Sequence, residues 1–162
     1  MMELLISIVY VAFIGILAHY VGEALPRRLF REDRFPFKLY KWERNGKVYE
    51  YIWIKKWKTK VPDMSRYMKD MLPKKVSFGS DSESVDMLIR ETCVAEFIHK
   101  ALCVFSLGVY FFWKNNIGII LALVCIICNV PFIIIQRYNR PHLIRLRNRL
   151  RRREEKKALC DI

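Results

Sequence analysis

Three long uncharged runs constrain this 162-residue chain more than anything else in it. Leu4 to Ala18 carries no charge and is almost wholly apolar. Cys103 to Trp113 and Ile117 to Ile135 are likewise uncharged, parted only by Lys114-Asn115-Asn116. With its flanks, each run approaches the ~20 residues a helix needs to cross ~30 Å of hydrocarbon. The expected architecture is an all-α polytopic membrane protein, one membrane domain over 1–162. Its spans fall at roughly 3–24, 93–113 and 117–136, and the last two form a hairpin turned by Lys-Asn-Asn. A loop over 25–92 joins the first two spans, and a basic tail occupies 137–162. The first run also has the length of a cleaved signal peptide. No basic segment precedes it, however, and Gly22-Glu23-Ala24-Leu25-Pro26-Arg27-Arg28 is a poor cleavage site, so a retained span is the better reading.

Charge orients these spans. Apart from Lys100 and Lys114, every lysine and arginine lies between Arg27 and Arg90 or from Arg137 onward. With three spans those two regions share a side. The positive-inside tendency makes that side cytoplasmic in a multi-pass cell-membrane protein, with the N-terminus and the Lys114 turn outside. A net charge of +13 also suits nucleic acid, but basic residues that flank spans answer better to anionic headgroups and membrane lipids than to a nucleic-acid partner.

The loop is aromatic and basic together. "LPRRLFREDRFPFKLYKWERNGKVYEYIWIKKWKTKVPD" reads as an interfacial element with Trp and Tyr at headgroup depth. Asn45-Gly46 is a turn signal that permits a short hairpin. Tyr49, Trp53 and Trp57 at four-residue spacing permit an interfacial helix over about 47–58 instead, and both readings stand. A helix is expected to start with Ser82 or Ser84 as its N-cap, aided by Glu83 and Asp86, and to run into the second span. Arg145 to Lys157 is expected to be a helical extension on the membrane surface. Of the five cysteines, Cys125-Ile-Ile-Cys128 matches C-x-x-C only in spelling, and no zinc spacing occurs.

Ionisable residues within spans are costly and point to function. His19 and Glu23, then Glu96, His99 and Lys100, then Asn129, Gln136 and Arg137 all fall toward the cytoplasmic end of their spans, which suggests a shared polar pocket. Glu96 and His99, three apart, project from one helical face. A carboxylate that orients an imidazole suits a general base acting on a hydroxyl. The plainer alternative is a pair that satisfies itself where helix meets headgroups. In "NVPFIIIQRYNRP", Pro131 leaves a carbonyl free near Ile127, and Asn129 stands beside that gap. Gln136, Arg137, Tyr138, Asn139 and Arg140 follow. Two arginines there suit bidentate binding of a phosphate or diphosphate; headgroup anchoring with a helix stop at Pro141 is the competing reading.

The motifs "LPRRLF", "ERNGK", "KKWKTKVPD", "ETCVAEFIHKA" and "NVPFIIIQRYNRPHL", in this order, resemble the small bacterial membrane family named for glycosyl-4,4'-diaponeurosporenoate acyltransferase, which acts late in staphyloxanthin-type carotenoid biosynthesis. The resemblance implies transfer of a fatty acyl group to a sugar hydroxyl of a membrane glycolipid. It carries over onto Trp57, Lys58, Lys60, Asp63, Glu91, Glu96, His99 and the cluster from Asn129 to Pro141. His19 and Glu23 do not belong to the pattern. On this footing His99, oriented by Glu96, is the expected base and Asp63 the second candidate. Arg137, Arg140 or Asn139 are expected to bind the donor's phosphates or polarise its carbonyl. No cofactor is expected beyond acyl-CoA or acyl-carrier protein as acyl donor, and a homodimer, or an interfacial element from the Leu25–Thr92 loop, would better enclose the pocket. No H-x-x-x-x-D motif and no G-x-S-x-G elbow occurs, which leaves direct transfer. The competing classes are a non-catalytic lipid-binding or scaffold protein, and a transferase acting on polyprenyl-linked glycans.

Overall fold

The apolar runs become helices because a backbone in hydrocarbon must satisfy its own hydrogen bonds. The computed structural model describes residues 2–58, 60–61 and 81–160. Helix α1 is Met2–Ala24. The loop that follows contains a 3-10 turn at Arg27–Leu29, a 3-10 stretch at Lys41–Glu50 and a one-turn helix α2 at Ile54–Trp57. Helix α3 is Ser82–Ser106, α4 is Val109–Phe112, and α5 is Asn116–Cys160. No strand occurs among the described residues. Met2–Ala24, Ser82–Phe112 and Asn116–Cys160 are each long and apolar enough to cross a membrane, as the sequence led us to expect.

Small residues let the spans approach one another. Gly118 and Ala122 of α5 are buried beside the turn end of the hairpin. A Cβ at Gly118 would lie 2.0 Å from the Trp113 carbonyl oxygen, so only glycine fits there. Asn115 makes the turn itself: its Oδ1 accepts the N–H groups of Ile117 (3.0 Å) and Gly118 (3.3 Å), two donors that open α5.

Most of the apolar core lies at the opposite end, where the loop folds onto α3 and α5. Phe30 and Phe37 of the loop pack with Cys93 and Val94 of α3. Tyr49 and Ile54 pack with Ile135 and Tyr138 of α5, flanked by Trp57. The loop is therefore a folded cap rather than a tether.

Three local expectations are corrected. First, the segment after Tyr40 is neither a strand hairpin nor an interfacial helix over 47–58. Arg44, Asn45 and Gly46 all take positive φ (46°, 55° and 89°) between two 3-10 turns, so the Asn-Gly signal makes a turn without strands. A Cβ on Gly46 would meet Pro141 Cγ at 3.2 Å in addition to the backbone strain. Second, Asp81, not Ser82 or Ser84, stands at the N-cap of α3. The Ser82 N–H instead donates to Glu154 Oε1 of α5 at 2.8 Å. Third, Pro141 does not stop the helix. A proline removes one N–H and frees one carbonyl, and tertiary contacts carry α5 past it. Arg147 pairs with Glu32 (2.7 Å) and Asp86 (2.6 Å), and Arg151 with Asp86 (2.7 Å). The tail is thus clamped along the first turns of α3 rather than turned aside as a separate surface helix.

Candidate functional site

At the loop end, α5 presents Arg137 and Arg140 from one face, three residues apart. Both are buried. Arg137 lies between two carboxylates. Its Nε and Nη2 donate to Glu43 at 2.6 and 2.7 Å, and its Nη1 donates to Glu96 Oε1 at 2.6 Å. Arg140 donates through Nη2 to Glu96 Oε2 at 2.6 Å, through Nε to Thr92 Oγ1 at 2.9 Å, and through Nη1 to the Phe37 carbonyl at 2.7 Å. Glu43 also accepts the Tyr49 hydroxyl and the Tyr40 N–H. Burial works against ionisation of Glu43, but the hydrogen bonds from Arg137, Tyr49 and Tyr40 hold its carboxyl below the usual carboxylate range. Burial and then the Glu43 carboxylate push the Tyr49 phenol up.

This network changes two sequence-based assignments. The arginines expected to grip a phosphate instead face Glu43, Glu96 and backbone carbonyls. They lock loop, α3 and α5 together at a depth where an uncompensated charge would be costly. Glu96, expected to orient His99, has its oxygens taken by Lys100, Arg137 and Arg140.

His99 finds its partner on the other span. Its Nδ1 lies 2.9 Å from Asn129 Oδ1, and its ring stacks on Phe132 at 4.5 Å and 11°. The Asn129 Nδ2 donates to the Cys125 carbonyl at 2.9 Å. Because that carbonyl can only accept, the amide group faces it and the Asn129 oxygen faces the imidazole. Asn129 Oδ1 therefore requires a proton on His99 Nδ1, which leaves Nε2 of the neutral ring with a lone pair. No described residue takes that nitrogen. Asn129, two residues before Pro131, thus reaches across to α3.

A third group forms where α2 meets α5. Trp57 Nε1 donates to the Ile52 carbonyl at 2.9 Å, and its side chain packs against the cluster of Tyr49, Ile54, Ile135 and Tyr138. Lys58 Nζ lies 3.5 Å from Asn139 Oδ1 and 4.8 Å from the Tyr138 ring centre. Trp57, Lys58, Tyr138 and Asn139 are thus brought together. Lys60 is exposed and Gln136 half-buried, outside these contacts. Asp63 lies outside the described residues. Glu91 pairs with Arg27 at 2.6 Å, which fixes the start of the loop to α3. His19 and Glu23 face each other at 3.5 Å on an exposed stretch of α1 and do not join the network. The sequence reading missed Glu43, Thr92 and Tyr49. The "ERNGK" motif was the available signal for Glu43, since it puts a carboxylate among basic and aromatic neighbours.

An all-helical chain with three membrane-length helices and a polar centre walled by two of them is the class that these features define. Within that class, residues 26–149 match the family described as glycosyl-4,4'-diaponeurosporenoate acyltransferase. Proteins of that name from Staphylococcus aureus strains RF122, N315 and MRSA252 are each 32% identical over 139 residues, covering 84% of this chain and 82% of theirs. The chain belongs to this family of acyltransferases. No solved structure matches it.

Proposed function

We propose that this protein moves a fatty acyl group onto a sugar hydroxyl of a membrane glycolipid, a carotenoid glycoside or a related isoprenoid glycolipid, with His99 as general base. The reaction lies at the cytoplasmic membrane face, where the basic loop and tail reside and where acyl-CoA and acyl-carrier protein, the candidate donors, are found. The acceptor class follows the name borne by the relatives. The observation that carries the chemistry is the His99–Asn129 pair, which fixes a tautomer with its basic nitrogen unencumbered.

In the proposed step the sugar hydroxyl gives its proton to His99 Nε2 as its oxygen attacks the donor's thioester carbonyl. An ester C–O bond forms and the C–S bond breaks. The proton then passes from His99 to the departing thiolate, so the base is restored without a covalent enzyme intermediate. Lys58 and Asn139 are the candidates for holding the polar end of the donor. Asp63 is the second candidate for the base. Glu96, Arg137 and Arg140 act as positioning residues that keep α3 and α5 in the register the pair needs.

Lipid extracts of cells that make wild type or His99→Ala at matched membrane levels test this directly. The expected result is a glycolipid that gains one acyl chain only with wild type. An acylated product with both proteins would discard His99 as the base. Its absence with both, at normal protein levels, would move the protein to a lipid-binding role.

A further inference from the structure

The part of α5 beyond Pro141 has two unlike faces. Arg147, Arg151 and Glu154 point at α3 and the loop, where Glu32, Asp86 and the Ser82 N–H engage them. On the opposite face stand Arg145, Arg149, Arg152 and Lys156, in the i, i+4, i+7, i+11 pattern of one helical stripe. All four are exposed, and among the described residues none has a carboxylate partner. The family match covers residues 26–149, so Arg145 and Arg149 lie within it and Arg152 and Lys156 beyond it.

Geometry limits what the stripe can meet. Because α5 is continuous from Asn116 to Cys160, the stripe prolongs a membrane-length helix. At 1.5 Å per residue, Arg145 stands about 13 Å and Lys156 about 30 Å past residue 136. The headgroup layer adds only about 5–8 Å to the hydrocarbon edge, and surface charge is screened over about 8 Å. The outer cations therefore stand beyond the reach of lipid phosphates. The four also form a row about 16 Å long, more than the phosphates of one small donor need. A row of fixed cations facing water at the approach to an acyl-transfer site matches an acidic protein surface of similar length.

We propose that this stripe docks an acidic carrier protein that delivers the acyl group as a thioester. The proposal rests on the acyl-transfer reading above and narrows its donor to a protein-borne one. Clamping by Asp86, Glu32 and Glu154 fixes the inner face of the helix and so presents the outer one without an ordering cost on docking.

The test uses the full-length protein in nanodiscs of zwitterionic phosphatidylcholine, with a purified bacterial acyl-carrier protein loaded with a fatty acid as the probe. Arg149→Glu/Arg152→Glu/Lys156→Glu should weaken carrier binding by about tenfold or more. The triple Gln variant should fall between it and wild type. Wild-type binding should weaken steeply with salt. With glycosyl-4,4'-diaponeurosporenoate as acceptor, the reversal should raise KM for the acyl-carrier donor and leave turnover from acyl-CoA unchanged. Equal carrier binding by wild type and reversal would overturn the proposal. So would a reversal that alters only binding to phosphatidylglycerol vesicles, since the stripe would then read lipid. A wild type that transfers from neither donor would sink the acyl-transfer reading, while the binding measurement would still decide the stripe.

Discussion

Glu96 and His99 lie one helical turn apart on α3 and have opposite surroundings. Glu96 is 0% exposed and meets three cationic side chains. His99 is half-buried and meets one neutral amide. A buried charge whose bonds are all taken has nothing left to offer a substrate, whereas an imidazole fixed at one nitrogen keeps the other for chemistry. The pair shows how neighbouring polar residues of one helix divide between holding helices together and leaving a ring nitrogen free for the proposed base.

The largest effect should come from breaking the first member. Glu96→Ala leaves Arg137 and Arg140 short of a carboxylate and should cost about 3–5 kcal/mol, seen as loss of protein from the membrane and a collapsed thermal transition in detergent. His99→Ala should leave that transition nearly in place while acyl transfer falls by about 10²–10⁴-fold. If His99→Ala unfolds the protein, or Glu96→Ala folds and works normally, the division is wrong. A smaller effect concerns acid. The folded Glu43 carboxyl is held below its unfolded value, about 4.3 for a free glutamate. Its contribution is complete above that unfolded value and is lost as pH falls through the folded one. The thermal midpoint should thus be level from pH 7 to about 5 and drop below about 4, with Glu43→Gln lowering the plateau and flattening the acid limb. The smallest belongs to the exposed His19–Glu23 pair, where His19→Ala should change stability by less than about 0.5 kcal/mol.

The spans, the Lys-Asn-Asn turn and the family were legible in the chain because hydropathy and local motifs are carried by neighbouring residues. The polar site was legible as a set of residues and not as a set of pairs. Glu96 and His99 share a helix face, so spacing alone favours their contact. Two arginines from a helix unseen in that local pattern outcompete the imidazole for the carboxylate. Glu43 was hidden for a like reason: it reaches Arg137 across 94 positions of sequence. Pro141 was read as a stop because a proline weakens a helix locally, and only the clamps from Glu32, Asp86 and Ser82 reveal why α5 continues.

The order in which the ribosome releases these partners matters for how the protein is made. Synthesis runs from the N-terminus, so the loop carrying Glu43 emerges long before Arg137, and Glu96 precedes its arginines by 41 and 44 positions. Until the last helix arrives, Glu43 has no arginine to meet, Glu96 has only Lys100, and the loop can pack on α3 alone. A product cut short before Arg137 therefore lacks the guanidinium that joins the loop to α3 and α5.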